Sequence, residues 1–164
     1  MNHNEAPNHN LQKEKDVIKE WKLGYKLIFY ELAGCISCAF LLPLLSHADR
    51  THMFDEVEEK GFDTKEQYKE NIINILEKYG RLNKNIPSPV ILVQKQKDNV
   101  LLLVEPDTVS ECAQELMDAL NRLGDSAVLQ YMDGELDHKI LFNNLLLKLT
   151  TNIIYPKDYK RTTN

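Results

Sequence analysis

The sequence predicts one α+β domain, with a helical N-terminal half packed on a small, about three-stranded sheet that carries further covering helices. Three observations lead there. Apolar residues at Val17, Trp21, Tyr25, Ile28, Leu32, Cys35 and Ala39 recur in steps of three and four, which places them on one helical face. After Ile86-Pro87-Ser88-Pro89 the period changes, and Val90–Val93 and Val100–Val104 are short, branched runs bounded by turn residues. Beyond these, two amphipathic stretches open on capping patterns and stop at glycines.

Taken in order, residues 1–10 form a polar tail, residues 11–155 the single globular domain, and residues 156–164 a polar C-terminal tail. The first helix is expected from about Leu11 to Leu41, ending before Pro43 because proline cannot donate to the helical ladder. His47 to Lys60 is charged, with Met53, Phe54 and Val57 as anchors, and reads as a connector or short surface helix closed by Gly61. Asp63-Thr64-Lys65-Glu66 is a capping box, and the helix behind it presents Tyr68, Ile72, Ile75, Leu76 and Tyr79 before Gly80. The two branched runs form a hairpin with its tip at Lys97-Asp98-Asn99. Their apolar residues are continuous, so helices should cover both sheet faces.

Thr108-Val109-Ser110-Glu111 is a second capping box, opening a helix expected to carry Val109, Cys112, Leu116, Ala119, Leu120 and Leu123 on one face and to stop at Gly124. Ser126–Tyr131 is expected to return as a strand before the Asp133-Gly134 turn, and His138–Tyr155 to form a last, well-buried helix.

The most hydrophobic part of the chain, Tyr25–Ser46, is nearly long enough to span a bilayer. Glu31 lies within it and Pro43 breaks it, so it reads as a core helix. Leu32-Ala33-Gly34-Cys35 matches a lipoprotein cleavage box, yet the greasiest residues follow the cysteine instead of preceding it.

Twenty Lys+Arg against twenty-five Asp+Glu give a net charge of −5, which disfavours nucleic acid or an anionic membrane and suits a basic protein partner. Three cysteines, Cys35, Cys38 and Cys112, close no disulfide framework, which points to a reducing, cytoplasmic compartment.

Three constellations bear on chemistry. Cys35-Ile-Ser-Cys38 continues to His47 and His52, ligand types that zinc accepts, so structural zinc is the one cofactor the sequence brings up. A redox reading of the same pair requires a thiolate at an exposed helix N-terminus, whereas the periodicity puts both cysteines inside a helix, where they serve as inert core thiols. Asp55, Glu56, Glu58, Glu59, Glu66 and Glu70 form the densest acidic region, a surface fit to receive a basic partner. Finally, Glu105, Asp107 and Asp133 stand just past predicted strands, where carboxylates can hold Mg2+.

The segment from Asn99 to Glu135, with Glu105-Pro-Asp107 after one run and Asp133-Gly134 after the next, resembles the opening strand–helix–strand of a response-regulator receiver domain. That resemblance implies a Mg2+-binding acidic pair at Glu105 and Asp107. No nucleophile–base set and no phosphate-cradling glycine loop is present. The expected function is therefore a non-catalytic cytosolic interaction module, such as an inhibitor, immunity protein or adaptor. The alternative is a metal-dependent protein, whether zinc-stabilised, a small Mg2+ enzyme or a receiver-like regulator.

Overall fold

The computed structural model describes residues 24–160 apart from positions 96 and 98. The tail at 1–10, the first part of the expected helix and the last four residues lie outside the described residues. Among the described residues the fold is α+β, with five helices and a five-stranded mixed sheet in which β1 (Tyr25–Leu32), β2 (Glu56–Phe62), β3 (Val90–Lys95), β4 (Val100–Val104) and β5 (Ile153–Ile154) lie in the order β2-β1-β3-β4-β5.

Strand β1 (Tyr25–Leu32), an interior strand between β2 and β3, forms in the stretch expected to be helical. The three-and-four spacing of Tyr25, Ile28 and Leu32 is coincidental here. What decides is burial on both sides: Leu27 and Phe29 join the core on one sheet face, Ile28 the core on the other, and all three are buried. A strand covered on both faces needs an unbroken apolar run, and tyrosine, isoleucine and phenylalanine suit it. Full burial of a side chain such as Phe29 contributes about 1.5–3 kcal/mol.

Ala33 and Gly34 turn the chain, with Gly34 at φ +84°, and helix α1 (Ile36–Arg50) follows at once. Pro43 sits inside α1 instead of ending it. The disturbed ladder is spliced by a distant side chain: the Tyr131 hydroxyl donates to the Phe40 carbonyl and accepts from the Leu44 amide at 3.0 Å. An inserted polar group of this kind lets a helix pass a proline without orphaning buried backbone.

Strand β2 (Glu56–Phe62) runs parallel to β1 as an edge strand, with Leu27 opposite Val57 and Leu32 opposite Phe62. The expected connector thus contributes a strand, and Gly61 lies within it. The crossover helix α1 is what a parallel pair requires. Helix α2 (Lys65–Lys78) is capped by Thr64, whose hydroxyl accepts from the Gln67 amide at 3.2 Å, one residue later than the expected cap at Asp63. Its predicted face is right: Tyr68, Ile72 and Leu76 are buried against Ile28, Val90, Leu92 and Leu103.

The hairpin forms as expected from β3 (Val90–Lys95) and β4 (Val100–Val104), with β3 antiparallel to β1. Helix α3 (Pro106–Leu123) begins before the expected cap, and Thr108 is buried with its hydroxyl accepting from Asn152 Nδ2 at 3.1 Å.

Residues Asp125–Met132 form helix α4 where a strand was expected. Ala127 and Tyr131, four apart, are the buried pair, while Leu129 is exposed. A short apolar run carries too few residues to separate period 2 from period 3.6. Helix α5 (Lys139–Thr151) is shorter than expected because Ile153–Ile154 leave it as β5 and take the free edge of β4. Helices α1, α3 and α5 cover one sheet face and α2 the other. Among the described residues no helix is long and apolar enough to cross a membrane.

Candidate functional site

The turn from β1 into α1 brings Cys35 and Cys38 to the end of the sheet, at the first turn of the crossover helix. Cys35 is the N-cap of α1, and its sulfur accepts a hydrogen bond from the Cys38 amide at 3.2 Å. The pair therefore does not lie deep inside a helix, as the periodicity suggested. A sulfur in this position faces unsatisfied helix N–H groups, and no acidic residue occupies the first turn. A thiolate formed there finds its donor already in place.

The two thiols differ in access. Cys35 is partly exposed and Cys38 is 2% exposed. Burial, reinforced by the neighbouring Cys35 and partly offset by a hydrogen bond from Ser88, pushes the Cys38 thiol up to about 12, so it keeps its proton at neutral pH. Cys112 is a different case. It is fully buried between α3 and α5, with its thiol directed at the Leu145 carbonyl at 3.9 Å, and burial raises it to about 11.

The loop entering β3 closes over the pair. The Cys35 thiol donates to the Ser88 carbonyl at 3.5 Å, and the Ser88 hydroxyl lies 3.2 Å from the Cys38 sulfur. Ser88 precedes Pro89 through a cis peptide bond. From the other side, the Tyr68 hydroxyl on α2 donates to the Pro87 carbonyl at 2.6 Å, which pins this loop to the helix. Two thiols of unequal access thus share one serine, and that serine is held by a buried tyrosine. Sequence reasoning missed Ser88 and Tyr68, because nothing local links them to cysteines that lie 50 and 53 residues before Ser88 and in a different element from Tyr68. The adjacency of Pro87 and Pro89 marks the loop without revealing what it faces.

The other expected sites are dispersed. His47 lies nine residues beyond Cys38, roughly 13 Å along the helix axis. It is buried edge-on against Phe142, and burial lowers its basicity. His52 follows the end of α1 in an exposed turn. Among the described residues no three His, Cys, Asp or Glu side chains gather as a metal site would need. Glu105 accepts from the Arg81 guanidinium at 3.0 and 3.1 Å, and Asp107 begins α3 beside it. Asp133 caps α4, so the strand that carried the receiver resemblance is absent.

The acidic row is divided between elements and faces. Asp55 precedes β2. Glu56 and Glu58 share Lys26 on the neighbouring strand at 3.7 and 3.4 Å, and Glu59 lies on the opposite face beside Glu31. Glu66 and Glu70 are exposed on α2. Charges along an edge strand also discourage pairing with another chain.

Glu31 is raised to about 7 by burial, by a hydrogen bond with Glu59 and by that neighbour's charge. The native state therefore holds a proton that the unfolded chain gives up near 4.5. Stability from this group is full below pH 4.5 and is lost as pH rises through 7. Glu31→Gln should flatten that slope, which urea titrations at pH 5 and pH 8 will show.

Comparison with known proteins returns no match: no family model, no curated protein and no solved structure aligns significantly with the chain.

Proposed function

We propose that the protein is a thiol–disulfide oxidoreductase in which Cys35 is the nucleophile and Cys38 the resolving thiol. The observation that carries this reading is the placement of Cys35-Ile-Ser-Cys38 at the N-terminus of a helix that crosses between two parallel strands, with one thiol accessible and the other buried. A Cys-x-x-Cys on a β-α-β unit is the pattern of thioredoxin-like redox motifs. This reading departs from the non-catalytic interaction module, binding a basic partner through an acidic surface, that composition suggested.

The chemistry balances as follows. The Cys35 thiolate attacks one sulfur of a substrate disulfide, forming a mixed disulfide and releasing the other substrate sulfur as a thiolate that takes up a proton. Cys38 then loses its proton and attacks the Cys35 sulfur, which closes the Cys35–Cys38 disulfide and releases the second substrate thiol. Two electrons pass from the protein to the substrate, and a dithiol reductant restores the starting state. Run in reverse, the disulfide form oxidises a substrate dithiol.

The test is direct. Equilibration of the full chain in glutathione buffers of graded potential should give a two-electron transition, and mass spectrometry should place a loss of two hydrogens on the Cys35–Cys38 peptide. A chain in which both thiols stay reduced in every oxidising buffer, or in which Cys35 forms only mixed adducts that Cys38 never resolves, contradicts the proposal. The serine that touches both sulfurs provides a second handle. Because its hydroxyl eases ionisation of Cys38, Ser88→Ala should slow resolution about two- to ten-fold, as losing one hydrogen bond implies. Rapid acid quenching and mass analysis of the mixed disulfide will read that lifetime.

A further inference from the structure

Beside the cysteines, on the α2 side of the Ser88 loop, a groove of about 410 Å³ opens to solvent. Its volume lies within the range of sites that hold a ligand, about 300–1,000 Å³. Leu32, Tyr68 and Ile86 form its apolar floor, and Lys65, Lys69 and Lys84 stand on its rim. The groove is continuous with the thiols: Leu32 accepts the Cys35 amide at 3.1 Å, and Ser88, which contacts both sulfurs, lines one end.

The three lysines converge on one groove. They come from two segments, α2 and the loop after it, and all are exposed. Like most cations among the described residues, none of them has a carboxylate within ion-pair distance, so their charge is not locally neutralised by a salt bridge. Lys65 and Lys69 are four apart and so share one side of α2, at its positive N-terminal end, where basic residues weaken the helix instead of supporting it. Glu66 and Glu70 are the next residues along the helix and do not line the groove. In a protein of net charge −5, unpaired cations gathered at one place make a local field opposed to the overall one.

Resting on the dithiol reading above, we infer that this groove selects the substrate: a disulfide-bearing peptide with carboxylate side chains beside its cystine. Its apolar residues lie over Leu32 and Ile86, while its carboxylates meet Lys65, Lys69 and Lys84 as the disulfide reaches Cys35. The exchange is the one already described, with Cys35 bonding to one substrate sulfur and the other leaving as a thiol. Attraction of this exposed kind acts mainly on the rate of encounter and is screened by salt.

The experiment uses the reduced full chain and two synthetic peptides, each closed by one disulfide, with either glutamates or glutamines flanking the cysteines. A small dianionic disulfide, 5,5′-dithiobis(2-nitrobenzoate), and a neutral one, 4,4′-dithiodipyridine, separate a peptide requirement from charge alone. At low salt the glutamate peptide should form the Cys35 adduct about ten times faster than the glutamine peptide, and the preference should vanish near 0.5 M salt. Lys65→Gln, Lys69→Gln and Lys84→Gln combined should remove the preference while leaving the glutamine peptide and the dipyridine unchanged. Each single change should remove part of it.

Equal rates for the two peptides at low salt overturn the inference and leave the oxidoreductase reading standing. So does a triple variant that slows every probe alike. A preference shown by the small dianion but by neither peptide overturns the peptide as substrate. Absence of both a Cys35 adduct and a Cys35–Cys38 disulfide with all four probes overturns the dithiol reading itself, and the inference with it.

Discussion

Cys35→Ser should reduce disulfide exchange to the background of the assay, while Cys38→Ala should complete the first half of the reaction and stop. The difference follows from access. Cys35 is partly exposed and holds a backbone donor at its sulfur, so it meets the substrate first. Cys38, buried and pushed up to about 12, has no path to an external disulfide and acts only after Cys35 has been joined. Cys38→Ala therefore accumulates a stable mixed disulfide, visible as one added substrate mass on the Cys35 peptide.

The same asymmetry sets the pH dependence expected of exchange by the intact chain. Well below its ionisation range, the thiolate fraction of Cys38 rises about ten-fold per pH unit, and resolution should follow it between pH 7 and pH 9. A resolution rate independent of pH across that interval contradicts the assignment of Cys38 as the attacking thiol. Cys112→Ala should leave all of these rates as they are, because Cys112 is fully buried with its thiol directed at the Leu145 carbonyl on α5.

Tyr131→Phe should lower stability by about 2–4 kcal/mol with no change in the denaturant slope. The ring can stay where it is, against Phe142 at 5.7 Å between centroids. What is lost is the hydroxyl that bridges the Phe40 carbonyl and the Leu44 amide across Pro43. Each buried backbone group left without a partner costs roughly 1–3 kcal/mol. The affected helix carries Cys35 at its N-terminus, so Tyr131→Phe should also broaden the spread of exchange rates at the cysteines. A change of less than about 0.5 kcal/mol in urea unfolding shows that α1 passes its proline without this support.

Much of the outer architecture was legible in the residues. The α2 face, the hairpin, the helix ending at Gly124 and the buried face of α5 were each readable because their signals are local: a cap, a change of period, a glycine stop. The errors fall where locality ends. Tyr25–Leu32 reads as helix because a strand buried on both faces has no alternation to show, and its three-and-four spacing is then the only visible regularity. Once that segment is taken as helix, Cys35 falls inside it, and the feature that makes the cysteine pair chemically useful disappears. Ser126–Tyr131 fails for the opposite reason, since a run of six residues fits either period.

The sequence by itself determined that the chain is α+β, that both sheet faces are covered, and that Cys35 and Cys38 sit together in the most apolar stretch, because composition and local periodicity carry that information. Only the tertiary structure decided that Cys35 stands at a helix N-terminus and Cys38 beneath it. That outcome depends on β1 pairing with β2 and β3, which commits residues 25–32 to the sheet and forces the helix to begin at the cysteine. It also decided that Ser88 and Tyr68 close over the thiols. Contacts at such separations in the chain are fixed by which surfaces bury one another, and no short window of residues records that choice.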